Sequence, residues 1–177
     1  RDHHLFPAPG PVLVALSGGG DSVALLRCLV AVKDEFGISI RAAHLNHALR
    51  GDESDGDDAF CRELCETLGV PLTTGRLPDD VLLGTGESLE TSARRVRREF
   101  LLSCAHEMSV CGIATGHTSD DRAETVLQRL IRGTGPSGLA GIRPVQGMFV
   151  RPLPGATRRS AREYLGGMSG PWSEDAL

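Results

Sequence analysis

No apolar run among the 177 residues approaches the roughly 18 that a membrane helix needs, so a helical span is excluded. There is no charged-then-apolar N-terminal signal, and the chain reads as cytoplasmic with no membrane partner. No two cysteines have Cys-x-x-Cys spacing. The five (Cys28, Cys61, Cys65, Cys104 and Cys111) are odd in number, and only Cys61 and Cys65 could share a helix face. They read as reduced structural thiols rather than disulfides or metal ligands. Positive charge is not in excess: 19 Lys and Arg against 23 Asp and Glu leave a net charge of −4. A global nucleic-acid footprint is therefore missing, although Arg94, Arg95, Arg97 and Arg98 form one basic cluster and Arg158, Arg159 and Arg162 another. Solvated helix faces are the plain reading of both clusters. Internal repeats and low-complexity tracts are absent too.

What remains is a chain of ordinary composition, 40% hydrophobic and 4% aromatic, long enough for one domain with a real core. Apolar runs at Val12–Leu16, Ile38–His47, Val70–Leu77, Cys111–Thr115 and Met148–Leu153 predict five strands. Helical patterns fall between and after them: from Val23 to Val32, Ala59 to Leu68, Ser88 to about Met108, Asp120 to Arg132 and Ala161 to Leu165. Ala48–Asp58, Pro78–Glu87 and Gly133–Gly141 read as loops. Alternating strands and helices predict an α/β fold, a doubly wound parallel five-stranded sheet with helices on both faces. In such sheets ligands bind beyond the carboxyl ends of the strands. The polar clusters Ser17–Ser22, His44–Arg50 and Gly116–Asp121 all fall there.

The stretch that organises the chain is Pro11–Leu26, a buried strand running into Ser17-Gly18-Gly19-Gly20-Asp21-Ser22 and then a helix. Glycines let backbone approach a phosphate, and a helix N-terminus attracts it. Ser17 and Ser22 offer hydroxyl donors. The Walker loop has Lys before its Ser or Thr, and the dinucleotide fingerprint is G-x-G-x-x-G; neither occurs here. Asp21 stands instead beside the anion. A carboxylate there is repulsive unless a cation lies between, which suggests Mg²⁺.

Three further groups carry chemistry. In His44-Leu45-Asn46-His47, followed by Arg50, the histidines suit either strand-end hydrogen bonds or contacts with a nucleotide or base. Arg50 suits phosphate or carboxylate through its forked guanidinium. Arg94, Arg97 and Arg98 share a helix face by spacing, with Glu90 four before Arg94, so both a surface ion pair and an arginine face toward phosphate are open. In His117–Thr125, Asp121 and Glu124 lie three apart on the first turn of a helix. They could cap it, or with Asp21 hold Mg²⁺ or a cationic amine. His117 could supply attacking-group chemistry or touch phosphate.

The glycine stretch resembles the S-G-G-x-D-S signature of the PP-loop ATP pyrophosphatases. Over Val12 to about Asp175 the chain resembles the tRNA(Ile)-lysidine synthase family. The motifs are Ser17–Ser22; His44–His47 with Leu49-Arg50-Gly51; Ala93-Arg94 with Arg97; Gly116-His117 through Asp120-Asp121 to Glu124-Thr125; Arg132-Gly133-Thr134-Gly135 with Gly138-Leu139; Arg151-Pro152-Leu153; and Trp172 with Glu174-Asp175. Arg98 departs from the Tyr usual in that family, and Thr118 from a second His.

The resemblance implies that ATP adenylates C2 of the wobble cytidine in an isoleucine tRNA with a CAU anticodon. The ε-amine of free lysine then displaces AMP. It implies Asp21, Asp121, Glu124 and Arg97 as catalytic, and Asp21 and Asp121 as Mg²⁺ ligands. Ser17, Gly18, Gly19, Gly20, Asp21, Ser22, His44 and His117 would surround ATP. His47, Arg50, Arg94, Arg97, Glu124 and Arg132 would face the substrates. A related tRNA thiolase is a weaker reading, because Cys-x-x-Cys pairs are missing; a nucleotide-binding module without chemistry is another. Family members continue into domains that grip tRNA, so residues 1–177 are expected to be the ATP-binding catalytic domain without them. A homodimer is compatible with this reading.

Overall fold

The computed structural model describes residues 5–6, 9–46, 52–77, 88–133, 135 and 141–167, the side chains of 52–54 aside. Within them lie β1 (Pro11–Ala15), α1 (Gly20–Phe36), β2 (Ser39–Asn46), α2 (Asp52–Leu68), β3 (Leu72–Arg76), α3 (Leu89–Glu107), β4 (Gly112–Ala114), α4 (Ser119–Ile131), β5 (Val145–Gln146), β6 (Phe149–Val150) and α5 (Arg158–Gly166). The strands form one sheet in the order β3-β2-β1-β4-β6-β5. Five run parallel, as expected, with Val12 opposite both Ile40 and Gly112. The sixth, β5, was not expected: it pairs antiparallel with β6 as an edge hairpin. Two residues are too short to show an alternation, which explains why the sequence does not reveal it.

β1 is the central ridge, and its period of two divides the core. Val12, Val14 and Leu16 pack with Val23 and Leu26 of α1, Cys61 and Leu64 of α2, and Ala161 and Leu165 of α5. Leu13 and Ala15 point the other way, into Leu101, Cys104 and Ala105 of α3, with Ile113 and Phe149. The continuous apolar run is what a strand buried on both faces requires. Strand order reverses between β1 and β4, and in such sheets ligands bind beyond the carboxyl ends of the strands at that reversal.

Helix ends follow local chemistry. Gly37 ends α1 in a left-handed conformation (φ 61°), with its N–H donating to the Asp34 carbonyl. The Ser88 hydroxyl accepts from the Thr91 N–H at the start of α3. α2 starts earlier than the sequence pattern indicates, at Asp52 rather than Ala59; acidic residues at its N-terminus suit the helix dipole. α4 has no buried residue, and Leu127, Leu130 and Ile131 of its apolar stripe are exposed. It is fixed from its N-terminal end, where the Ser119 N–H and hydroxyl both donate to the Ala156 carbonyl.

Candidate active site

Two turns meet at the switch point. In the first, Gly18 takes φ 90°, a left-handed conformation that side chains resist, and Gly19 stands at the N-cap of α1. No side chain caps that helix. The serines shape the loop from within. The Ser22 hydroxyl accepts from the Ser17 N–H and the Ser17 hydroxyl, each at 3.1 Å, and donates to the Gly19 carbonyl at 2.8 Å. Their donors are thus engaged in holding the loop's curvature, and the surface left for an anion is backbone.

The second turn joins β4 to α4 through Gly116 and His117. A Cβ on Gly116 would lie 2.9 Å from the Asp21 carbonyl carbon and 3.0 Å from the Ser22 nitrogen. Only glycine lets the turns press together, and this closeness brings Asp21 and Asp121 to one place. The Asp121 Oδ2 accepts from the Thr118 N–H at 2.7 Å and its hydroxyl at 2.9 Å, so the capping role open in the sequence is real.

The other carboxylate oxygens are drawn to one cation from α5. Arg158 donates from Nη2 to the Asp121 Oδ1 at 2.7 Å, from Nη1 to the Glu124 Oε1 at 2.6 Å, and from Nη2 to the Glu124 Oε2 at 3.1 Å. Its Nε lies 3.8 Å from the Asp21 Oδ2, an ionic contact only. Three carboxylates that the sequence offered as a set therefore do converge. Burial alone would raise the Asp121 carboxyl, but hydrogen bonds from Thr118 and Arg158 hold it below the usual carboxylate range. Asp21 goes the other way: burial first, then the Asp121 charge, pushes it up.

The cationic wall is less uniform than the arginine spacing suggests. Arg94 is solvated and pairs with Glu90 at 3.0 Å. Arg98 lies over the Phe149 ring, 4.3 Å from its centroid. Arg97 is only partly exposed, and burial followed by repulsion from Arg94 lowers its pKa. Its positive charge also reaches both His44 and His117. His44 is buried, its Nδ1 bonds the Leu16 carbonyl at 3.0 Å, and its Nε2 is buried without a partner. Since Nδ1 must donate to that carbonyl, Nε2 is left as an acceptor. The His117 Nδ1 lies 2.9 Å from the Thr115 hydroxyl. Burial lowers the pKa of both histidines, which favours the neutral imidazole.

One sequence-predicted residue lies apart. Arg132 ends α4, about 16 Å along the helix from Asp121 by helical rise. His47 and Arg50 fall outside the described residues, as do Trp172, Glu174 and Asp175. Among the described residues, no three His, Cys, Asp or Glu side chains form a ready metal-ligand group. All five cysteines are free; burial pushes up the Cys61, Cys104 and Cys111 thiols and takes Cys65 to about 11. The residue missed was Arg158. Its place just after Thr157, the N-cap of a helix that follows β6, was the available signal.

Comparisons agree with this architecture. The sequence matches the PP-loop domain family over residues 6–177. Proteins named tRNA(Ile)-lysidine synthase are similar. That of Chlorobaculum tepidum is 43% identical over 93% of this chain and 50% of its own length. That of Thermus thermophilus is 46% identical over 99% of this chain and 34% of its own length. The chain thus spans about a third to a half of the length of these relatives. Among solved structures, a U34-tRNA thiolase from Methanococcus maripaludis with its [4Fe-4S] cluster superposes with a TM-score of 0.75 at 20% identity, covering 96% of this chain and 62% of that one. An NH3-dependent NAD synthetase from Campylobacter jejuni gives 0.59 at 18%, covering 90% and 64%. At those identities the likeness is one of fold.

Proposed function

The chain belongs to the PP-loop domain family, and from that premise we propose that it carries the ATP-dependent chemistry of a tRNA(Ile)-lysidine synthase. In this reading the wobble cytidine of an isoleucine tRNA with a CAU anticodon attacks the α-phosphate of ATP through its O2. Pyrophosphate leaves, and C2 is activated as an adenylate. The ε-amine of free lysine then bonds to C2, and AMP departs with the oxygen. The observation that carries the reading is the meeting of opposites at one edge: a glycine loop shaped for an anion abuts three carboxylates gathered on a cation. Similarity to proteins named for lysidine synthesis supports it.

Each residue then has a task. The backbone of Gly18, Gly19 and Gly20 and the α1 N-terminus receive phosphate oxygens. Arg97 stabilises negative charge that develops during AMP transfer, a reaction that depends on electrostatics and positioning. Neutral His44, its Nε2 buried, bonds the Leu16 carbonyl just before the loop and supports it there, and His117 borders the phosphates. Glu124 and Asp121 receive the lysine ammonium.

Mg²⁺ fits the donors at Asp21. That carboxylate touches Arg158 only at 3.8 Å, whereas both oxygens of Asp121 are already engaged. When bound, the ion would neutralise charge between Asp21 and the polyphosphate.

The reading is tested by titrating ATP with Mg²⁺ calorimetrically and measuring incorporation of labelled lysine into isoleucine tRNA carrying CAU. tRNA affinity rests on phosphate contacts, and Arg94 and Arg95 are already paired with Glu90 and Glu99. Residues 1–177 are therefore expected to bind ATP and to incorporate lysine slowly. Failure to bind ATP overturns the reading of the loop, and full-rate incorporation overturns the claim that tRNA is gripped elsewhere.

A further inference from the structure

Arg158 holds the carboxylates that the proposed amine substrate needs. Both oxygens of Glu124 and the outward oxygen of Asp121 are occupied by its guanidinium, and the inward oxygen of Asp121 caps α4. An incoming ammonium must find its acceptors among the same atoms. The arrangement makes exchange feasible. The side chain of Arg158 is 39% exposed, so solvent and solute reach it. Its helix is docked without it: the Arg158 backbone N–H donates to the Asp120 carboxylate at 2.8 Å, and Thr157 and Ser160 bond reciprocally across the first turn of α5. Ala161 and Leu165 anchor α5 in the core. The guanidinium can therefore swing away while α5 stays in place.

We propose that Arg158 is a displaceable counter-cation: it holds the Asp121–Glu124 site in the absence of substrate and is exchanged for the substrate's primary ammonium. This inference rests on the reading of Glu124 and Asp121 as the amine site. Two consequences follow from elementary electrostatics. Without a resident cation, three neighbouring carboxylates would stand unneutralised, so Arg158 balances their charge before substrate arrives. Displacement also sets a threshold for entry. A uncharged side chain of similar length gains nothing at the carboxylates and cannot release Arg158, which turns the contact into a selection for cationic side chains.

The test is calorimetric titration of the 177-residue chain with L-lysine, and with norleucine as the uncharged analogue, in the presence of ATP and Mg²⁺. Arg158→Gln removes the competitor, and Arg158→Lys keeps a cation. Lysine should bind Arg158→Gln about tenfold more tightly than the parent, a change of about 1.4 kcal/mol, while Arg158→Lys stays near the parent and norleucine binds none of them. Melting curves report whether each variant is folded. A merely structural Arg158 would weaken binding when replaced, so the direction of the change separates the roles. Lysine binding that is unchanged or weaker in a folded Arg158→Gln overturns the exchange and leaves the amine site standing. If lysine binds neither protein while ATP binds both, the amine-site reading itself fails and takes the exchange with it.

Discussion

The β1–α1 and β4–α4 turns occupy equivalent positions on neighbouring parallel strands, yet they are built for opposite charges. The first has glycine at its cap and serines bonded inward, so the helix end it offers is backbone. The second is closed by its own side chains, Thr118 and Asp121, and carries two further acidic groups, Asp120 and Glu124, near the same end. A helix N-terminus attracts anions in both cases. In α1, where Asp21 is the one first-turn carboxylate and no side chain caps the helix, that attraction is left for a ligand; in α4 it is absorbed by the capping carboxylate of Asp121. The acidic turn then becomes a place for a cation, and Gly116 presses the two together.

The largest expected effect comes from erasing the charge that stands between the two turns. Asp21→Asn should lower Mg²⁺-dependent ATP turnover by about 10²–10³-fold, the scale of removing a major electrostatic contributor. Turnover measured at saturating and at limiting Mg²⁺ checks this, and parent-like rates at both would remove Asp21 from the site. Next is the spacing itself. Gly116→Ala forces backbone at Asp21 and Ser22 to shift, and misplacement on the 1 Å scale costs about 10²-fold. The expected signature is lost turnover with ATP affinity reduced much less.

Gly18→Ala sharpens the comparison from the other side. A left-handed backbone costs a side chain about 1–2 kcal/mol, and Asp57 Oδ1 lies only 3.3 Å from the added methyl. Denaturant midpoints should fall accordingly, with ATP binding weakened too. A smaller effect concerns pH. The pKa of buried His44 is lowered from 6.5, so its folded value lies below its unfolded value. The unfolded chain therefore takes up the proton first as pH falls, and stability drops below about pH 6.5 until the folded pKa is passed. Chemical denaturation at pH 7.5 and 5.5 should show less pH dependence in His44→Gln than in the parent.

How far these turns could be read from sequence depended on how their chemistry is distributed along the chain. The glycine loop is contiguous, and strand, turn and helix announce themselves in Pro11–Leu26. Asp121 and Glu124 were legible as a helical pair, and the sheet followed from the alternation of elements. Arg158 was not legible, because its partners lie 34 and 37 residues away in sequence, and helical spacing groups it with Arg159 and Arg162. The solvated-face reading does hold for Arg159, which is exposed and paired with Glu163. It fails one residue earlier, where docking of α5 turns the side chain inward. Arg94 and Arg97 divide in the same way: spacing puts them on one face, but only packing against the sheet decides which becomes crowded.

The division of labour between the turns is tested most directly by Glu124→Gln, titrated calorimetrically with ATP and Mg²⁺ and then with L-lysine. Glu124 lies on the acidic turn and makes no contact with the glycine loop in the described hydrogen bonds. ATP affinity should stay within about twofold of the parent, while lysine binding should weaken by about tenfold or more, as expected for loss of a charge-assisted hydrogen bond. Equal losses for both ligands would contradict the account, because the two turns would then be one undivided site.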